Sequence, residues 1–383
     1  MHNRGTAKEQ SVQSAWWRRP LEALFPDKTF DGQFQNPETE EVFDFDDRVM
    51  AEADPFGFII NKIVYYPSVD DRNLYTIFVP GLGQTEATSS ERSRRYAERL
   101  LTGIANLNNG SYLKQNPIFT KINPLLDWVE ATIHRLNLSG SLAIRNCTKL
   151  ALYAISHNQV INFSADSHGT ILLGRGLQVA KRTFIAERAD PFDVKDYLFW
   201  ENRWEELSHQ FINVFAFGNG YRSWVKGPKY IMIFIEGDPL ASTIGINPKN
   251  IQSIEKKDSP LPVFAGDPLA SIMGIDSEEN IKNHSSFKRD DIQFIVFESI
   301  FESGDFEAHN MMYTIELLRQ SFIKNNLRIG DFVALYHALS QGTFELVTAT
   351  EAKAETFPWP NDMEAYTWNA TGAFAKVLGR LSQ

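Results

Sequence analysis

The chain has 383 residues, which is enough for one large domain with insertions. Its apolar fraction of 43% and charged fraction of 22% are typical of a globular protein. The formal net charge of −10 argues against nucleic acid or an anionic membrane as the main partner, because both would repel an acidic protein.

The cysteine content and the apolar segments indicate in which cellular compartment the protein is expected. Cys147 is the only cysteine, so no intramolecular disulfide can form, and its apolar helical surroundings predict a buried thiol. The N-terminus lacks a signal-peptide core, and no run approaches the roughly 18 uninterrupted apolar residues of a membrane helix. We therefore expect a cytoplasmic protein without an integral membrane segment.

The first part of the chain, 1–57, is polar and acidic, and we interpret it as an N-terminal extension of a main domain that covers 58–383. Two β-rich runs, 58–69 and 74–79, flank a short polar turn and predict a β-hairpin at the start of that domain. A break at proline and glycine follows the second run, and helical patterns then occupy 89–104, 121–136 and 141–157.

The range 86–157 is predicted to be a helical insertion, and we expect it to cover an apolar pocket for an acyl group. Within it, the basic cluster Arg92–Arg95 indicates a solvated helix face.

Strand and helix patterns alternate in the rest of the chain. The predicted strands, rich in Ile, Val and Phe, are 158–164, 211–217, 230–236 and 292–298. The predicted helices are 171–184, 309–325, 331–341 and 372–381. Such continuous apolar strands are typical of a parallel sheet covered by helices. The fold class is therefore predicted as α/β, with a mostly parallel central sheet flanked by helices and an antiparallel beginning.

A ten-residue motif occurs twice, at 237–246 and at 266–275, with eight of ten positions identical. Two copies are too few for a solenoid, so a local duplication accounts for the motif.

Ser167 is the candidate nucleophile. It lies between Ala165 and Gly169, where a predicted strand gives way to a predicted helix. A sharp turn between strand and helix exposes a serine hydroxyl above the sheet, and small neighbours let the turn close. The following helix directs its free N–H groups and its positive end towards a developing oxyanion.

A nucleophilic serine needs a histidine base. Four histidines follow Ser167 and its neighbour His168 in the sequence: His209, His284, His309 and His337. His209 and His284 each precede a predicted strand, at the opposite edge of the sheet, and His337 lies inside a predicted helix. His309 follows the carboxyl end of the last predicted strand by a loop and so shares the sheet edge of Ser167, which makes it the candidate base.

The base needs an orienting carboxylate. Asp238 follows directly after the strand 230–236, and Asp267 occupies the same position in the duplicated motif after a weaker apolar run. We prefer Asp238 because its strand is the longer one, and Asp267 stays as the alternative acid. A glycine loop at 79–85 offers Leu82 as one backbone donor for an oxyanion, and His168 offers the other.

These segments together resemble the α/β-hydrolase superfamily of lipase- and esterase-like serine hydrolases. The resemblance implies a catalytic triad of Ser167, Asp238 and His309, with Leu82 and His168 as oxyanion donors. It covers roughly 58–325 in element order, although only short motifs match. It implies hydrolysis of a small-molecule acyl ester, a thioester or a lipid through an acyl-enzyme.

Three departures from the family pattern are Ala165, Asp166 and Pro80. Asp166 places a negative charge beside the expected oxyanion, which keeps open a second hypothesis. In that hypothesis the protein is an inactive hydrolase-fold module that binds a protein partner through its N-terminal extension. Acyl transfer to an acceptor other than water is a third. Because the sequence has no metal-ligand motif and no nucleotide-binding loop, we expect no metal and no cofactor.

Overall fold

The computed structural model describes residues 31–44, 49–50, 52–67, 74–81, 86–109, 130–131, 134, 141–236, 289–298, 311–348 and 351. Within these residues the strands are β1 (Phe34–Gln35), β2 (Val42–Phe43), β3 (Tyr75–Val79), β4 (Gly103–Leu107), β5 (Ile161–Asp166), β6 (Ile212–Phe217), β7 (Lys229–Ile235) and β8 (Ile292–Phe297). The α-helices in the same ranges are α1 (Pro55–Phe58), α2 (Glu86–Leu100), α3 (Leu142–His157), α4 (His168–Ala186), α5 (Val194–Phe211), α6 (Met311–Lys324) and α7 (Phe332–Ser340).

The strands form one sheet in the order β2-β1-β4-β3-β5-β6-β7-β8. β1 pairs antiparallel with β2 and with β4, and every other neighbouring pair is parallel. The predicted fold class is therefore confirmed: the sheet is mostly parallel, is flanked by helices and is consistent with an α/β-hydrolase-like fold.

Both faces of the sheet are covered, as the continuous apolar strands predict. In β6, Val214 and Ala216 belong to one core with α3, α4 and α5, whereas Phe215 and Phe217 belong to a second core with α2, α6 and α7. Alternate side chains of a strand point to opposite faces, so a strand covered on both faces is apolar throughout. Burial of a Val or Phe side chain stabilises the fold by about 1.5–3 kcal/mol.

The antiparallel beginning of the sheet comes from the segment that the sequence assigns to an N-terminal extension. Phe34 pairs with Leu107 of β4 and is fully buried, so this part of the chain belongs to the sheet.

The β-hairpin predicted from 58–69 and 74–79 is wrong, because the first of these runs is helical at 58–63, whereas the second forms β3. α1 continues into a π-helical turn, and Asp54 caps the first turn of α1. Buried Phe56, Ile59 and Ile63 are three and four residues apart, which is the helical period, and the β-branched composition concealed it.

The helix predicted over 89–104 starts and ends too late, because α2 is Glu86–Leu100. The range 86–157 is not helical throughout, because β4 lies within it. Leu101 ends α2 in the left-handed conformation with φ of 48°, so no glycine or proline marks this helix end in the sequence. α2 and α3 pack on opposite faces of the sheet, and Cys147 in α3 is buried as predicted.

The sequence analysis missed α5. Its apolar residues Val194 and Leu198 are 73% and 49% exposed, so they blur the amphipathic pattern by which a helix is recognised. The helix predicted at 372–381 lies outside the described residues, as does most of the helix predicted at 121–136.

Candidate functional site

Ser167 connects β5 directly to α4 in a sharp turn, with φ of 51° and ψ of −115°. For a residue with a side chain this backbone conformation costs about 1–3 kcal/mol and persists only where its surroundings impose it. The N–H of Ser167 donates to the carbonyl of Phe217 in β6 at 3.0 Å, and its carbonyl accepts from the N–H of Thr170 at 3.1 Å. Although Ser167 is the N-cap residue of α4, its side chain makes no capping hydrogen bond.

Glycines let the elbow approach the end of β3 closely. A Cβ on Gly169 would lie 2.0 Å from the carbonyl oxygen of Val79, which is much closer than any real contact. A Cβ on Gly81 would lie 3.1 Å from the Cβ of Ser167 and 3.2 Å from a carboxylate oxygen of Asp166. Gly81 and Ser167 therefore lie side by side, which is compatible with an oxyanion site beside the serine.

Asp166, the last residue of β5, is 3% exposed, and its Oδ2 lies 3.4 Å from a guanidinium nitrogen of Arg92. Burial lowers the pKa of Arg92, and attraction to Asp166 acts in the opposite direction. The expectation of a solvated face is wrong at Arg92, whose side chain is only 14% exposed. This cation compensates the negative charge of Asp166, which precedes Ser167 in the sequence.

The imidazole of His168 is 2% exposed and forms part of a buried polar chain behind the elbow. Its Nδ1 lies 2.9 Å from the Nδ2 of Asn109, and its Nε2 lies 3.2 Å from the Nδ1 of His134. The two ring planes are inclined by only 5° with centroids 5.4 Å apart, so the rings lie edge to edge. The Nε2 of His134 lies 3.8 Å from a carboxylate oxygen of Glu130.

The hydrogen positions in this buried polar network follow from Asn109. The Nδ2 of Asn109 also contacts the carbonyl oxygen of Gly81 at 3.5 Å, which identifies this end of the amide as the donor. The Nδ1 of His168 must then accept, so its Nε2 carries the hydrogen and donates to His134. A neutral His134 ring that accepts at Nδ1 has its hydrogen on Nε2, the atom that lies 3.8 Å from the carboxylate of Glu130.

The remaining predicted site residues, Leu82, Asp238, Asp267 and His309, lie outside the described residues. The strands that precede three of these positions are described. β5, β6, β7 and β8 are parallel neighbours, and Phe217 at the end of β6 is paired with Asp166 on one side and Ile233 on the other. The carboxyl ends of β7 and β8 therefore lie at the same sheet edge as Ser167.

Two histidines rejected at the sequence level lie at the opposite edge. His209 contacts the carbonyl of Gly227, just before β7 begins. His337 follows Tyr336, whose hydroxyl donates to the carbonyl of Asp290 just before β8 begins. The sequence analysis missed four residues near Ser167, because segments far apart in the chain bring them together: Arg92, Asn109, Glu130 and His134.

No protein-family model matches the chain, and no curated protein matches it. Among solved structures, the chain is similar to an esterase from Pyrobaculum calidifontis, in a monoclinic crystal form, with 12% sequence identity and a TM-score of 0.27. The similarity covers 66% of this chain and 78% of the esterase. So low a score identifies no residue of this chain, and the site is described by its own geometry.

Within the described residues, no group of three or more His, Cys, Asp or Glu side chains could hold a metal ion. No helix there is both long and apolar enough to span a membrane.

Proposed function

We propose that the protein is a serine hydrolase that cleaves carboxylic esters or thioesters through an acyl-enzyme on Ser167. The observation that carries the proposal is the backbone of Ser167, which is held at positive φ between β5 and α4. Strain of this kind is retained where function needs a side chain in one position. The hydrogen bond from Ser167 to Phe217 and the contact of Gly169 with β3 support the same reading.

In this proposal His309 is the base and Asp238 orients it, with Asp267 as the alternative acid. The parallel order of β5 to β8 supports both roles, because β7 ends three residues before Asp238 and β8 ends twelve residues before His309. Loops of these lengths can bring both side chains to the edge that carries Ser167.

The reaction proceeds in two steps. The Oγ of Ser167 attacks the carbonyl carbon of the ester, and its proton passes to His309. The tetrahedral oxyanion is stabilised by the backbone N–H groups of Leu82 and His168, then collapses, and the departing alkoxide or thiolate takes the proton from His309. A water molecule, deprotonated by His309, then attacks the acyl-serine, which releases a carboxylic acid and restores the hydroxyl of Ser167.

The ion pair of Arg92 with Asp166 supports turnover in particular. An uncompensated carboxylate beside the nucleophile would oppose the developing negative charge, whereas a paired one has a much weaker effect. A lipid-like acyl chain as the preferred substrate, bound under a cover formed by 86–157, stays a prediction.

The proposal is tested by the hydrolysis of p-nitrophenyl acetate and p-nitrophenyl octanoate. Wild-type protein is expected to show saturable turnover, and Ser167→Ala and His309→Ala are each expected to lower kcat by at least about 10³-fold. Turnover that survives in Ser167→Ala would refute the assignment of the nucleophile. A higher kcat/KM for the octanoyl ester would support a lipid-like substrate.

The choice of acid is tested separately with Asp238→Asn and Asp267→Asn, which form a matched pair within the duplicated motif. We expect only Asp238→Asn to lower kcat strongly, because only the acid that orients His309 affects proton transfer. The reverse result would assign the acid to Asp267.

A further inference from the structure

Asn109 lies between the two segments that are expected to stabilise the oxyanion. It follows β4, is 5% exposed, and its Nδ2 lies 3.5 Å from the carbonyl oxygen of Gly81 and 2.9 Å from the Nδ1 of His168. We propose that Asn109 is a positioning residue that fixes both halves of the oxyanion hole relative to each other. The inference rests on the proposed reaction at Ser167.

The contact with Gly81 acts through the geometry of the peptide bond. The carbonyl of Gly81 and the N–H of Leu82 belong to one planar unit, and in a trans peptide they point in opposite directions. A donor on the carbonyl therefore favours one orientation of this peptide. Glycine permits the flipped orientation at little cost, so an external contact is needed to exclude it.

The contact with His168 acts on the second half of the hole. His168 supplies the other expected N–H, and its ring is held at both nitrogens, by Asn109 and by His134. Because the rings of His168 and His134 are 2% and 1% exposed, water cannot readily replace either contact. One amide group thus joins Gly81, which lies two residues after β3, to the first residue of α4.

The neighbouring Asn108 is a matched control. It is 4% exposed, accepts from the Nδ2 of Asn106 at 3.0 Å and donates to the Oε1 of Gln35 at 3.4 Å. It is therefore a buried amide of the same type in the same segment, but its hydrogen bonds are to Asn106 and Gln35 and not to Gly81 or His168.

The test compares Asn109→Asp with Asn108→Asp. Asn109→Asp keeps the size of the side chain and removes the donor to Gly81, and its carboxylate repels that carbonyl. We expect inactivation by a fluorophosphonate to slow roughly 10- to 100-fold, which is less than the loss of an oxyanion donor itself. In p-nitrophenyl ester hydrolysis kcat should fall while KM stays unchanged, because the oxyanion that the hole binds is formed only on the way to the tetrahedral intermediate and is absent from the bound ester. Asn108→Asp is expected to change both rates by less than about twofold, even where stability falls.

The outcomes separate this inference from the proposed function. Equal inactivation of wild type and Asn109→Asp would overturn the role of Asn109 and leave Ser167 as the nucleophile. An equal decrease in both variants would also overturn it, since a general loss of structure then suffices. Failure of the folded wild type to react would overturn the inference together with the proposed function.

A second measurement avoids the risk that Asn109→Asp does not fold. In ¹⁵N NMR of the wild type, the ring of His168 is expected to carry its hydrogen on Nε2, because Asn109 donates to Nδ1. A hydrogen on Nδ1 of the neutral ring would exclude that donation and overturn the inference.

Discussion

Replacement of Ser167 by glycine should stabilise the fold relative to replacement by alanine. Both variants lack the serine hydroxyl, but only glycine adopts φ of 51° and ψ of −115° without strain. Relief of that strain contributes about 1–3 kcal/mol. The greater freedom of glycine in the unfolded chain removes about 0.4–1 kcal/mol of this gain. The expected net difference is about 1 kcal/mol in favour of Ser167→Gly.

The assay is urea unfolding of the two variants, followed by fluorescence, with the slope m required to agree between them. Ser164, in β5 and fully buried, is the control position, because a strand needs no positive φ. There glycine should be less stable than alanine by about 0.5–1 kcal/mol. If Ser167→Ala proves as stable as Ser167→Gly, the serine is not held in a strained elbow and the reasoning fails.

Three further predictions concern the surroundings of the elbow and the acid stability of the fold. Gly169→Ala must displace a backbone carbonyl by more than 1 Å, so we expect a loss of about 1–3 kcal/mol in urea unfolding and a roughly 10²-fold slower esterase reaction. Gly220→Ala, whose Cβ would meet its nearest atom at 3.5 Å, should change little, and equal effects at both glycines would contradict the close contact. Arg92→Met should slow acylation of the serine because Asp166 then lacks this cation, and an unchanged rate of fluorophosphonate inactivation would show that the pair is irrelevant. Burial raises the pKa of Glu316, but hydrogen bonds from its arginine and glutamine neighbours outweigh burial and lower it. The ionised carboxylate of Glu316 therefore stabilises the fold fully above its ordinary pKa of 4.5, and this contribution is lost as the pH falls through the lowered pKa of the folded state. Glu316→Gln should therefore show a smaller decrease in unfolding free energy between pH 7 and pH 3 than wild type. An equal decrease in the two proteins would contradict this.

The parts of the fold that the sequence predicts are those fixed by local pattern. β6, β7 and β8 are continuous apolar runs, and the elbow is a short motif whose turn needs only Ser167 and small neighbours. β4 escaped prediction because its five residues include Gly103 and the buried polar Asn106, and because Leu101 conceals the end of the preceding helix.

The electrostatic surroundings of the serine could not be predicted in the same way. Arg92 looks like one member of an exposed basic run until the sheet brings Asp166 within 3.4 Å of it. Asn109 and His134 carry no motif, and their meaning arises only from contact with His168 across 59 and 34 residues of sequence. Such contacts depend on topology, which short-range pattern does not encode.

The most direct test of the central claim is to locate the adduct of a fluorophosphonate by peptide mass spectrometry on the folded wild type. The account predicts one equivalent of adduct on Ser167, and none in Ser167→Ala. Stoichiometric labelling of a residue other than Ser167 would contradict the account. So would the absence of any labelling of folded wild type under conditions that label a known serine esterase.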